Sequence, residues 1–130
     1  MRSPTIGSPS KRGLAFSALA AALFTGCATA NFVPTGTSLA AKPDNCQIQV
    51  FSTQPPAREY EELGIIEGEG HVGALSLEDV LPEMKTEACR AGGDALILGD
   101  TQRIVEPGVK IAINITGTVI RWVGPTDAGH

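Results

Sequence analysis

One stretch constrains the fold more than any other: between Ser76 and Gly93 the chain spells out a complete helix with both of its ends. Ser76 with Asp79 three residues on makes a capping box, in which each supplies a partner for an amide the first turn leaves unpaired. Leu77, Leu81, Met84, Ala88 and Ala91 recur at spacings of four, three, four and three, which predicts a single apolar face. Glu78, Asp79 and Glu83 come early and Lys85 and Arg90 late, the order the helix dipole favours. Gly92-Gly93 supplies a left-handed stop. Pro82 falls at the sixth helical position, where it lacks the amide the ladder requires, so a kink or restart is expected there.

A helix with one apolar face must lie on another layer, and the flanking segments read as strands. After Cys46, Gln47-Ile48-Gln49-Val50 alternates polar and apolar, the mark of a half-buried strand ending near Phe51. Gln54-Pro55-Pro56 must be loop. A second strand is expected over Tyr60 to Gly70, where Gly64, Gly68 and Gly70 suggest bulges or close approach by another element. Ala95-Leu96-Ile97-Leu98 is apolar on both faces, which predicts a short central strand. A turn at Glu106-Pro107-Gly108 leads into the longest strand, Lys110 to Val123. There Ile111, Ile113, Ile115, Val119 and Val123 share one face, and Asn114, Thr116 and Thr118 the other. The expected fold is α+β, in the order β-β-α-β-β: a four-stranded sheet with one helix across one face.

The chain begins with a basic head (Arg2, Lys11, Arg12) and an apolar run from Leu14 to Phe24, closed by Leu23-Phe24-Thr25-Gly26-Cys27. This three-part export signal resembles that of bacterial lipoproteins, in which a lipobox cysteine is acylated and becomes the mature N-terminus. The resemblance implies a signal peptide over 1–26, lipidation at Cys27 and attachment to a lipid bilayer. It also implies outer-membrane residence facing the periplasm, since Ala28 is not the aspartate that holds such proteins in the inner membrane. Cleavage leaves 104 of 130 residues, and the loss of three cations takes the net charge from -4 to -7. So acidic a chain repels nucleic acid. The apolar run is too short to span a bilayer. Residues 27–45, with Pro34, Gly36 and Pro43, read as a flexible tether. Phe32 and Val33 in it are expected against the bilayer interface or the domain rather than in a strand. The domain proper is placed at 46–123 and a loose tail at 124–130. With Cys27 assigned to lipid, Cys46 and Cys89 remain as an even pair in an oxidising compartment. A helix laid over the sheet can bring them to bridging distance as a disulfide.

Gly68-Glu69-Gly70-His71-Val72-Gly73 matches G-x-G-x-x-G after a strand. A dinucleotide site needs the helix to start on the third glycine, whereas Ala74-Leu75 intervene before Ser76, and Asp100 lies too far on to serve as the ribose-binding acid. The bland assignment, a glycine-rich strand end and turn, is preferred. His71 and His130 are the sole imidazoles, and His71 has no Cys or His at metal-ligand spacing. Glu59, Glu61, Glu62, Glu67 and Glu69 crowd one strand. Glu67, Glu69 and His71 fall on one side of it, a weak alternative metal site set against a solvated acidic edge. No catalytic residue and no cofactor is expected, and the chain is not expected to be an enzyme.

Tyr60-Glu-Glu-Leu-Gly64-Ile-Ile-Glu-Gly68-Glu-Gly70, Met84-Lys85, Ala91-Gly-Gly-Asp94-Ala-Leu-Ile97 and Thr116-Gly-Thr-Val-Ile120 together resemble the YbjQ-type family of small α+β proteins. That resemblance implies an oligomer-forming fold and, for some members, heavy-metal binding. The lipobox, the proline-containing tether and the Ala-Gly-Gly-Asp-Ala-Leu-Ile stretch also resemble the stress-sensor outer-membrane lipoproteins of the Rcs phosphorelay, which act by protein contact. Those sensors carry two disulfides, where this mature chain has cysteines for one. The expected function is a non-catalytic envelope lipoprotein, a protein-interaction or stress-sensing module with an envelope protein as partner. The alternative is a metal- or small-ligand-binding lipoprotein.

Overall fold

The structure is a computed structural model and describes residues 27–107 and 110–124. The export signal expected over 1–26, Gly108 of the expected turn, and the tail beyond Gly124 with His130 lie outside the described residues. The described chain is α+β, with one helix on a five-stranded mixed sheet. In chain order the elements are β1 (Ala28–Pro34), β2 (Gln49–Phe51), β3 (Tyr60–Gly70), α1 (Leu77–Arg90), β4 (Ala95–Glu106) and β5 (Lys110–Trp122). Across the sheet they stand β1-β3-β5-β4-β2, antiparallel except for β2 beside β4.

The fifth strand is the main correction to the expected four. It comes from Ala28–Pro34, inside the segment read as tether. Ala28, Ala30 and Phe32 turn inward and Thr29 and Asn31 outward, a period of two whose inward members include two alanines too small to announce a core. The partner strand prepares the place. A Cβ built on Gly64 would lie 2.5 Å from the Phe32 ring, so β1 lies where β3 has no side chain. A bulge between Glu62 and Gly64 re-aims β3 at the same point.

Beyond β1 the chain is strapped to the domain rather than loose. The Thr35 and Gly36 amides donate to Leu63 O, and the Lys42 amide donates to Cys89 O. Lys42 Nζ binds Gly93 O and Asp94, and Asp44 takes both Nε and Nη2 of Arg90. The folded unit therefore includes β1 and the strap ahead of Cys46.

The helix caps as its sequence dictates. Ser76 Oγ accepts from the Asp79 amide and Asp79 Oδ2 accepts from the Ser76 amide. Gly92, at φ 80°, donates to Cys89 O while Gly93 donates to Ala88 O, the paired bonds of a Schellman close. The restart expected as one outcome at Pro82 does not occur; α1 runs as one helix from Leu77 to Arg90. The bond Pro82 cannot make would end on the carbonyl of exposed Glu78, where water can take its place. The buried face is also shifted from the expected stripe. Val80, Met84, Ala88 and Cys89 are buried, whereas Leu77 is exposed.

Val80 and Met84 press onto Leu63, Ile66, Leu96, Ile115 and Val119 of the sheet, and this single interlayer is the core. β4 is longer than the expected Ala95–Leu98. A bulge between Leu98 and Thr101 carries it past Gly99-Asp100 to Glu106, and the Asp100 amide is met by Thr116 Oγ1. β2 flanks β4 over Ala95–Ile97, so β4 is interior only at that end.

Candidate functional site

Cys27 is exposed and unbridged, and it stands immediately before the first residue of β1. Its carbonyl accepts from the His71 amide, 3.1 Å away, so the backbone is already part of the sheet at the cysteine itself. Cys46 and Cys89 form the expected disulfide, with Cα atoms 5.8 Å apart. It pins the end of the strap to the last turn of α1.

Glu67, Glu69 and His71 do share the sheet face away from α1, but they do not converge. His71 Nε2 lies 2.8 Å from Glu69 Oε1. Glu67 instead borders a shallow depression of about 250 Å³ with Asp100, Gln102, Asn114 and Thr116, where Asn114 Oδ1 is shut off from solvent without a partner. Among the described residues no group of three or more His, Cys, Asp or Glu side chains gathers as a metal site would require. Of the other acids on β3, Glu61 is held by Thr37 and Arg121, whose hydrogen bonds draw its carboxyl below the usual range.

The Gly68–Gly73 motif folds as a strand end and turn. Cβ atoms on Gly68 or Gly70 would collide with Val80, Met84 and the Ala74 carbonyl, so the glycines admit the helix of this chain.

Sequence reasoning missed a second cluster. Trp122 and Phe51 meet edge to face at 6.0 Å, and the Arg58 guanidinium stacks 4.7 Å over the indole. Beside them Asp94 Oδ2 accepts from the Trp122 amide. Burial pushes the Asp94 carboxyl up, but the hydrogen bonds from Lys42 and Trp122 and the nearby cations outweigh it and leave its pKa below the usual value. The Asp44 carboxyl is lowered by the Arg90 hydrogen bonds. No helix among the described residues is long and apolar enough to cross a membrane.

No family model matches the chain, and no curated protein matches it. Among solved structures, the fold is similar to the crystal structure of the Francisella virulence factor FvfA, at a TM-score of 0.53 and 13% identity. The match spans 71% of this chain and 96% of that one. It is a likeness of fold.

Proposed function

We propose that this chain is a non-catalytic envelope lipoprotein, attached to the outer membrane through acylated Cys27 and presenting a periplasm-facing domain to a protein partner. The observation that carries the reading is the state of the three cysteines: Cys46 and Cys89 bridge each other, and the lipobox residue Cys27 remains exposed and free to take lipid. The resemblance to Rcs-type sensor lipoproteins supports a role in reporting envelope stress by contact. Cys27→Ser should move the protein from the membrane fraction to the soluble periplasm; a variant that still pellets with membranes would show that acylation is not the attachment. Crosslinking in intact envelopes followed by identification of the captured protein tests the interaction role, and capture of none would count against it.

A second reading, binding of a metal or small ligand, rests on the Glu69–His71 pair and the neighbouring Glu67 depression with its unpartnered Asn114 oxygen. Calorimetric titration with divalent zinc, nickel and copper tests it. Micromolar binding abolished by His71→Ala would favour this reading over a purely protein-binding one.

A further inference from the structure

We infer that the end of the sheet around Cys27 is a membrane-docking surface, which seats the domain directly on the bilayer instead of leaving it suspended on a tether. The inference rests on the lipid attachment proposed above. It follows from where the fold puts the cysteine. Ala28 is the first residue of β1, and the Cys27 carbonyl is bonded to His71, so no slack chain separates the acylation site from the sheet. A domain joined this way must lie within a side chain's length of the headgroups.

The strand registers identify which residues share that level. Ala28 pairs with Gly70, Gly70 with Ile113, and Ile113 with Arg103. One step further stand Ala112 and Ile104 on β5 and β4, with Cys27 and His71 just outside β1 and β3 and joined by their backbone hydrogen bond. The next step brings Ile111 and Val105, while Val72 stands in the turn that follows β3. With strands about 4.8 Å apart, this row reaches on the order of 15 Å sideways from the lipid attachment point. Ala112 is buried, but four apolar side chains there are open to solvent: Val72 is 69% exposed, Val105 64%, and Ile104 and Ile111 39% each. Ile111 and Val105 thus reach about one residue rise beyond the level of Cys27, and the Glu106↔Lys110 pair carries the β4–β5 hairpin one rise further.

The exposed side chains of Val33, Ile65 and Val123 do not extend this surface. Val33 and Ile65 pair with each other on the sheet face away from the helix, six residues along β1 from Cys27, and Val123 follows β5 at the opposite end. The mature chain is acidic, so attraction between basic residues and anionic headgroups cannot hold this surface down. Apolar insertion to the depth of the lipid glycerols can, with the acyl chains supplying the primary attachment. Arg103, level with Ile113, has a stem long enough to keep its charge among the headgroups.

The test uses the full acylated protein in vesicles of phosphatidylethanolamine and phosphatidylglycerol. An environment-sensitive fluorophore is placed on Val105→Cys or, as control, on Ile65→Cys, roughly 20 Å further up the sheet. Reconstitution should shift the emission of the Val105 label to the blue and cut its quenching by iodide severalfold, while the Ile65 label stays open to iodide. Amide exchange at Val72 and Gly73 should slow only on vesicles. If mass spectrometry finds Cys27 acylated and the Val105 label is as open to iodide as the Ile65 label, docking is overturned while lipid attachment stands. If no acyl mass is found, the attachment itself fails, and the docking surface with it.

Discussion

Val80 and Met84 fill the hollow that Gly68 leaves. A Cβ there would lie 2.5 Å from a Val80 methyl and 2.7 Å from the Met84 side chain. Gly68→Ala should therefore push α1 off the sheet and cost about 1–3 kcal/mol, as overpacking does. Met84→Ala should cost about 2–5 kcal/mol by opening a cavity among side chains with no solvent contact. Glu87→Lys exchanges one surface contact with Arg90 for repulsion and should cost less than about 1 kcal/mol. Urea midpoints of the three variants measure this; a Glu87→Lys effect as large as that of Met84→Ala would refute the assigned face. Asp94 adds a dependence on pH. Its folded-state pKa lies below its unfolded value, so its stabilising effect is complete above roughly pH 4 and is lost as pH falls through the lower folded value. Asp94→Asn should be less stable than the natural chain at neutral pH, and the gap should shrink steadily below pH 4 in urea titrations.

β1 and the strap that follows it turn what reads as linker into fold. A chain beginning at Cys46 would lack β1, the Lys42 and Asp44 contacts and an intact path into the sheet, leaving the β3 edge open beside Gly64. Such a truncation should show little cooperative urea transition, where a chain beginning at Cys27 shows one. The disulfide bridges a sequence separation of 43 residues, for which chain entropy gives about 4 kcal/mol. Cys46→Ala should lower Tm by at least about 10 °C, and neither cysteine of the natural protein should react with an alkylating agent until reduced. These elements differ in how plainly they could be read. The caps of α1 were legible because Ser76, Asp79 and Gly92 act on their own backbone. The phase of its buried face was not, because Leu77 and Val80 compete for it and the choice is made by Gly68 and Gly70 on another element. β4 seemed to end at Gly99-Asp100, since a bulge and a chain end look alike until the partner strand is known. β1 carried a genuine alternation in Ala-Thr-Ala-Asn-Phe, muted by two small side chains and followed by Pro34.

Across the whole molecule, the α+β class and the Cys46–Cys89 bridge could be read from the chain, while the aromatic cluster of Phe51, Arg58 and Trp122 could not. Its members come from β2, the following loop and the end of β5, and parallel pairing with β4 alone brings β2 within reach of Trp122. The Glu67-Glu69-His71 alternation was legible as a shared face, yet not as a shared point, because Glu67 faces the Asp100–Asn114 depression. The way β1 leaves the sheet also has a mechanical side. Its hydrogen bonds to β3 run across the strands, over seven register pairs from Ala28↔Gly70 to Pro34↔Gly64. A pull on Cys27 along the strand axis loads those bonds together, in shear, and cannot peel them one by one. Force applied between Cys27 and the β5 end should accordingly meet a single high rupture peak, and the extension released should stop at Cys46, where the disulfide takes the load. Reduction should lengthen that step without lowering the first peak. On the lipid attachment proposed above, a domain fastened in this way would pass tension from its anchor into the sheet as a stiff link.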